Sequence, residues 1–188
     1  MTESYQGHLL IAQPRCVTNF FSRSTILIAR HSQEGAWGVI VNRVFTSMES
    51  GLSRIMLSQG IELDDNLDQP LYVGGPVETN RLHVIHSLDW HSNSTIQVTE
   101  GLGITNDLSI LAAIAGREGP ENFRVCVGMC GWAPGQLEGE MSGKPPWLPE
   151  HRWLHAAADP NSVFDFQENF QWQQAIHMAA RATTQAWL

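Results

Sequence analysis

Short apolar stretches rich in β-branched residues, separated by glycine, proline and polar residues, run along most of the chain and predict β-strands. The predicted strands cover residues 7–12, 24–30, 36–42, 71–73, 82–86, 95–98, 123–130 and 163–166. The polar segment from His31 to Gly35 has the composition of a hairpin connection. We therefore expect the strands on either side of it to pair antiparallel and, being apolar throughout, to be covered on both faces.

Apolar residues at helical spacing predict helices in the remaining segments. Thr46 to Glu49 fits a capping box ahead of an apolar face that ends at Gly60, and a second helix is predicted from Ile104 to Gly116. Residues 139–160 have a loop-like composition, and a terminal helix is predicted from Asn169 onward. Strands and helices in this order indicate an α+β fold with a mostly antiparallel, curled sheet, and the length of 188 residues fits a single domain over residues 1–188.

The segment 125–138 contains the strongest candidate for a site. It is predicted to be a buried strand, then a turn through Gly131 to Gly135, then the start of a helix. Such a corner exposes backbone N–H groups at a sheet edge, and an indole, that of Trp132, lies close in sequence to the amide of Gln136. The structural alternative is that Trp132 only closes the end of the core.

A more specific hypothesis concerns the ligand. Gln136 and Glu138 are two residues apart, so on a helix they point about 200° from each other and should not serve one site. We expect Trp132 and Gln136 to face the strand end at Asn42 and Arg43, with a ligand between them. Arg43 would then favour an anionic or carbonyl-bearing group.

Charge and composition exclude several classes of protein. The net charge is −8 and Lys144 is the only lysine among 11 basic residues, so no basic stripe is available for nucleic acid or an anionic membrane surface. The amino-terminal residues lack the basic region of a signal peptide, and no apolar run approaches the ~20 residues that span a bilayer. Three cysteines, an odd number, indicate reduced thiols. The sequence therefore predicts a cytoplasmic protein without direct nucleic-acid or membrane contacts.

Familiar catalytic and metal-binding patterns are missing from the sequence, which contains no phosphate-binding loop, nucleophile elbow or paired-histidine zinc motif. Cys126 and Cys130 are expected on one strand face about 13 Å apart, too far for a disulfide. His83 and His86 are expected on opposite faces, which disfavours a shared metal. The acidic run at 62–70 is interpreted as a solvated loop rather than a calcium site. No metal or cofactor is predicted.

The order of the motifs resembles the AlgH/YqgE family of small bacterial proteins. The resemblance is carried by residues 7–14, 21–24, 34–43, 73–77, 84–87, 104–105 and 131–138, and most distinctively by Gly-Gly-Pro-Val at 74–77 with Gly-Trp-Ala-Pro-Gly-Gln-Leu-Glu at 131–138. It extends to about Asp165. The resemblance implies an α+β fold with a curled, barrel-like sheet and outer helices. Some members are described as transcriptional regulators of exopolysaccharide synthesis, but no activity, cofactor or ligand defines the family. Residues 139–147 depart from its usual pattern through a Lys-Pro-Pro insert.

These observations favour a non-catalytic binding or regulatory module with an unidentified protein or small-molecule partner. The alternatives are an enzyme that uses His86 or Glu138 as an acid–base group, an indirect transcriptional regulator, and a pure interaction scaffold. The sequence does not determine the oligomeric state. Thr105 is a further polar residue of the matching motifs. The candidate ligand-binding residues are the polar or turn-forming members Arg23, Asn42, Arg43, Gly74, Gly75, His86, Trp132, Gln136 and Glu138.

Overall fold

The computed structural model describes residues 4–14, 20–46, 51–62, 69–147, 153–165 and 168–185. The strands are β1 (His8–Ile11), β2 (Thr25–Ser32), β3 (Gly35–Ile40), β4 (Leu71–Val73), β5 (Val77–Ser87), β6 (Ile96–Gln97), β7 (Leu102–Thr105), β8 (Phe123–Trp132) and β9 (Leu154–Ala157). The helices are α1 (Leu52–Ser58), α2 (Ser109–Ala115), α3 (Gln136–Ser142), α4 (Pro160–Phe164) and α5 (Glu168–Gln185).

The strands form one curled sheet in the order β6-β7-β5-β8-β3-β2-β1-β9, and β4 pairs with β8 outside this path. The β4–β8 pair is parallel and the other pairs are antiparallel. One face of the sheet packs against α5, and the other is covered by α3 at one end and by α1 and α2 at the other. The predicted α+β class with a mostly antiparallel, curled sheet is confirmed.

Alternation along β2 and β3 shows why both strands are apolar throughout. Leu27 and Val39 point into the cluster that contains α5, whereas Ile26, Ile28 and Ile40 point into the cluster that contains α3. The two strands pair antiparallel through a tight connection, as the polar segment between them predicted. Each strand is therefore buried on both of its faces.

An irregularity where β8 pairs with β5 alters the predicted positions of two cysteines. Gly128 has a φ of +77°, a conformation that favours glycine, and the five steps along β5 from Val77 to Leu82 stand opposite two steps along β8, from Met129 to Val127. Cys126 therefore lies in the cluster with α5, and Cys130 lies on the opposite face with α3. The expectation that they share a face is wrong. Both thiols are free and buried, and burial raises the pKa of each to about 12; Cys16 lies outside the described residues.

Two segments have a different secondary structure from the one predicted. Residues 102–105 form β7 instead of the start of a helix, because they pair with β5, and α2 begins only at Ser109. The predicted strand at 163–166 overlaps α4. There Asp159 accepts a hydrogen bond from the backbone N–H of Ser162 in a capping box, and Pro160 begins the helix. Capping by Asp159 and Ser162 explains why this short apolar segment is helical.

Two segment boundaries also differ from the prediction. Leu154–Ala157, within a segment predicted to be loop, forms the edge strand β9 against β1. α1 begins after Gly51, later than the start predicted at Thr46. The remaining residues of that predicted capping box, 47–49, and residues 63–68 of the acidic run lie outside the described residues. Among the described helices, none is both long and apolar enough to cross a membrane.

Candidate ligand-binding cavity

The corner between β8 and α3 is built as the sequence predicted, although the strand continues through Gly131 and Trp132 before the turn. Gly135 adopts a φ of +75° immediately before α3. The side chain of Gln136 closes the turn, since its Oε1 accepts a hydrogen bond from the backbone N–H of Ala133 at 3.0 Å. This contact fixes the Gln136 amide and leaves its nitrogen directed along α3.

Glu140 is the polar centre of the corner, although it is not among the candidate residues predicted from the sequence. Its Oε2 accepts hydrogen bonds from the indole N–H groups of Trp132 at 3.0 Å and Trp153 at 2.8 Å. Its Oε1 accepts one from the amide of Gln136 at 2.9 Å. Trp132 belongs to β8 and Trp153 directly precedes β9, so a single carboxylate joins two strands to α3. The four-residue spacing between Gln136 and Glu140 was the available sequence signal.

A cavity of about 360 Å³, here called the tryptophan cavity, lies beside this carboxylate. Its walls are mainly aromatic or apolar: Ala12, Gln13, Phe21, Pro76, Val77, Cys130, Gly131, Trp132, Gln136, Glu140, Pro146, Trp147 and Trp153. Trp153 packs edge-on against Trp132 at 6.4 Å and against Phe21 at 5.7 Å between ring centroids. Trp147 packs on α3 at Gly139, where a Cβ atom would lie 2.5 Å from its ring. A side chain at position 139 would therefore displace this wall.

Glu140 is the charged side chain of the cavity wall, and the positive charge of Arg43 acts on the wall at Cys130. Glu140 is the only carboxylate among the described residues that line the cavity, and no arginine, lysine or histidine accompanies it there. The Cys130 thiol is neutral at ordinary pH because burial raises its pKa to about 12. Since the two indole N–H groups and the Gln136 amide nitrogen are bonded to Glu140, these tryptophans present their ring faces and edges to the cavity.

Asn42 and Arg43 follow a different strand end from the corner, so the expected facing of Trp132 and Gln136 to them is not found, although Arg43 is close enough to Cys130 in the cavity wall for the two side chains to interact electrostatically. The antiparallel register pairs Ala36 at the beginning of β3 with Trp132, whereas Asn42 and Arg43 follow the other end of β3. Neither lines the tryptophan cavity.

The polar groups of this strand end bind the preceding segment of the chain. Asn42 accepts a hydrogen bond from the backbone N–H of Thr25 at 2.8 Å and donates one to the carbonyl of Arg23 at 2.9 Å. The guanidinium of Arg43 donates to the carbonyl of Ser22 and the hydroxyl of Ser24. Burial lowers the pKa of Arg43. These contacts hold residues 22–25 in place.

Arg23 and the two glycines of the Gly-Gly-Pro motif also make internal contacts. Arg23 has a φ of +55°, and its guanidinium carbon lies 5.8 Å from the centroid of the Trp172 ring. A Cβ atom at Gly74 would collide with the carbonyl oxygen of Gly128, and one at Gly75 would collide with the backbone of Met129. At both glycines the backbone of this motif therefore approaches the backbone of β8 closely.

His86 and Glu138, the residues of the enzyme alternative, lie outside the tryptophan cavity. His86 is fully buried, its Nδ1 lies 2.8 Å from the carbonyl oxygen of Ser87, and burial lowers its pKa. The Oε1 of Glu138 lies 3.3 Å from Nε2 of His31. Gln136 and Glu138 thus serve different contacts, as their helical spacing predicted.

Thr105 lines a smaller cavity of about 230 Å³ together with Trp37, Arg81 and His83. Its hydroxyl oxygen lies 3.1 Å from that of Ser94. The candidate ligand-binding residues and Thr105 are therefore divided among the tryptophan cavity, the smaller cavity, the core and the β3 end. Among the described residues, no three His, Cys, Asp or Glu side chains are grouped so that they could hold a metal ion.

Comparison with known proteins places this architecture in a family. A family model described as "DUF179: AlgH-like" matches residues 9–182. The chain belongs to the AlgH-like family. The resemblance carried by the motifs is thereby confirmed.

Relatives with similar sequences are named UPF0301 proteins, a family of uncharacterised proteins. One from Azorhizobium caulinodans is 38% identical over 165 residues, covering 84% of this chain and 77% of its own. One from Methylococcus capsulatus is 34% identical, covering 92% of this chain and 90% of its own.

Two solved structures have similar folds. The solution structure of the AlgH protein from Pseudomonas aeruginosa is 29% identical with a TM-score of 0.74, covering 95% of this chain and 92% of that one. A crystal structure of a Corynebacterium diphtheriae protein has a TM-score of 0.63 at 22% identity, covering 87% and 80% of the two chains. The second likeness concerns the fold alone.

Proposed function

We propose that this chain is a non-catalytic binding protein that holds a small, largely apolar ligand in the tryptophan cavity. The observation that carries the proposal is the cavity itself, with a volume of about 360 Å³ and walls formed by the rings of Trp132, Trp147 and Trp153. Small-molecule sites typically have ~300–1,000 Å³, mostly apolar or aromatic walls and a few fixed polar groups. Here the fixed polar groups are Gln136 and Glu140.

The hydrogen bonds around the cavity favour binding over catalysis. Gln136 and Glu140 are bonded to each other and to the surrounding indole and backbone N–H groups, so they hold the wall in shape. The thiol of Cys130 is a poor nucleophile because burial raises its pKa to about 12. His86 is buried in the core and Glu138 faces His31, which leaves both outside the cavity.

We further propose that this binding protein acts in the cytoplasm and affects gene expression, where it does so, through its ligand or a protein partner. The net charge of −8 and the scattered arginines support this over direct contact with DNA. Seven tryptophans in the chain make ligand binding accessible to fluorescence.

A neutral fluorescent probe of suitable size, N-phenyl-1-naphthylamine, tests the proposal. We expect one probe molecule to bind per chain, with enhanced and blue-shifted emission and quenching of tryptophan fluorescence. Trp147→Leu removes one wall and should weaken binding at least about tenfold, the equivalent of about 1.4 kcal/mol. Trp37→Leu, at a partly buried tryptophan outside this cavity, is the matched control and should keep the affinity.

Two results would refute the proposal. The first is the absence of saturable binding to the folded natural chain. The second is equal loss of binding in the Trp147→Leu and Trp37→Leu variants, both shown by circular dichroism to be folded, because it would place the probe away from this cavity.

A further inference from the structure

We infer that the tryptophan cavity selects an organic cation, specifically a compact ammonium group with apolar substituents. This inference rests on the proposed binding function and adds the chemical class of the ligand. Its basis is the combination of Glu140 with the aromatic walls described above.

The wall of the tryptophan cavity carries a carboxylate, that of Glu140. Among the described lining residues, Glu140 supplies a negative charge, and its three hydrogen-bond donors are the neutral indoles of Trp132 and Trp153 and the neutral amide of Gln136. Neutral donors hold a carboxylate in position without cancelling its charge. A cation entering the cavity therefore gains an attraction that an uncharged ligand of the same shape does not.

The orientation of Trp132 and Trp153 disfavours an anion or a carbonyl group as the ligand. An anion or a carbonyl group needs N–H donors, but the indole N–H groups of Trp132 and Trp153 already bond to Glu140. These two tryptophans therefore present aromatic ring surface to the cavity. The faces of tryptophan rings attract cations through their quadrupole. Aromatic walls with one carboxylate are the surroundings that suit quaternary and other alkylated ammonium groups.

The inference reverses the expectation drawn from the sequence, in which Arg43 was to favour an anionic or carbonyl-bearing ligand. Arg43 does not line the cavity and bonds to Ser22 and Ser24. The charged residue that contacts Trp132 is Glu140 and not Arg43. The preferred ligand is therefore a cation and not an anion.

The test compares choline with 3,3-dimethyl-1-butanol, which has the same shape but carries a carbon atom in place of the charged nitrogen. Both are titrated into the natural chain and followed by NMR at low salt. We expect choline to bind at least about tenfold more tightly than the alcohol. Increasing the salt concentration should weaken choline binding and leave the alcohol unaffected.

Matched variants of α3 locate the source of the preference. Glu140→Gln removes the charge with little change in shape and should reduce the choline preference to less than about threefold. Glu138→Gln makes the same substitution two residues away, where the side chain faces His31, and should retain the full preference. Should Glu140→Gln fail to fold, the comparison of the two ligands on the natural chain decides alone.

The outcomes separate the inference from the proposed function. The cation inference is overturned, and the binding function left intact, if the alcohol binds as tightly as choline or more tightly. The same holds if N-phenyl-1-naphthylamine binds and choline does not. An unchanged preference in folded Glu140→Gln also overturns it. Failure of all three ligands to bind overturns both.

Discussion

Replacing Glu140 tests whether one carboxylate holds the β8–α3 corner together. Glu140→Ala leaves three donors without their acceptor: the indoles of Trp132 and Trp153 and the amide of Gln136. Both tryptophans are buried, with 7% and 6% of their surface exposed, so water cannot fully replace the lost acceptor. We therefore expect a large loss of stability from a residue that is only partly buried.

The magnitude follows from the hydrogen bonds. Bonds to a charged group contribute roughly 1.5–3 kcal/mol each, and the cavity beside Glu140 admits some water that offsets part of the loss. We expect Glu140→Ala to lower the free energy of unfolding by about 3–5 kcal/mol. Glu140→Gln keeps one acceptor oxygen for the two indoles and loses the bond to Gln136, so its cost should be about 1–2 kcal/mol.

Urea denaturation at pH 7, followed by tryptophan fluorescence and far-ultraviolet circular dichroism, measures both values. The control is Glu138→Ala on the same helix, which should cost less than about 1 kcal/mol, because its contact with His31 is partly exposed. The reasoning is refuted if Glu140→Ala costs less than 1 kcal/mol, or if Glu138→Ala destabilises the protein as much as Glu140→Ala.

Three further predictions follow from the fold. Gly75→Ala should lower the free energy of unfolding by more than about 3 kcal/mol, because its Cβ collides with the backbone of Met129. Gly60→Ala has open space around its Cβ and should lower it only by the ~1–2 kcal/mol that a left-handed conformation costs alanine. Equal urea midpoints for the two variants would contradict this. Burial lowers the pKa of His83 and His86, so the unfolded chain binds protons that the native chain does not. The free energy of unfolding should therefore be at its full value above about pH 6.5 and decrease below it, by up to ~1.4 kcal/mol per pH unit for each histidine. Urea midpoints that stay constant between pH 7.5 and 5.5 would contradict this. Duplex DNA should bind only non-specifically at physiological salt; sub-micromolar, sequence-dependent affinity would disprove that expectation.

Local signals were sufficient to predict much of the fold. The β2–β3 hairpin, the apolar strand β8 and the turn into α3 each follow from contiguous residues. β7 was missed because pairing with β5, which a local pattern does not reveal, determines its conformation. Gly103 weakens the strand pattern of β7, yet a glycine is needed there because a Cβ atom would crowd the ring of His86.

The candidate site depends more strongly on long-range geometry. Trp132 and Gln136 were correctly placed at one corner, but Trp153 joins them from a segment predicted to be loop, and Glu140 becomes prominent only when both indoles are present. The antiparallel register of β3 and β8 pairs Trp132 with the beginning of β3 and not with the end that Arg43 follows, and a local pattern does not reveal that register. The sequence thus indicated where the corner lies but not which charge it carries.

The central claim, that the tryptophan cavity is a ligand site, is tested most directly by the indole N–H resonances of the protein in two-dimensional NMR. On titration with choline or N-phenyl-1-naphthylamine, we predict saturable chemical-shift changes for the indole N–H groups of Trp132, Trp147 and Trp153. Those of Trp37 and Trp172 should stay unchanged. Resonances of the three cavity tryptophans that do not move at saturating ligand, or shifts confined to Trp37 and Trp172, would contradict the account.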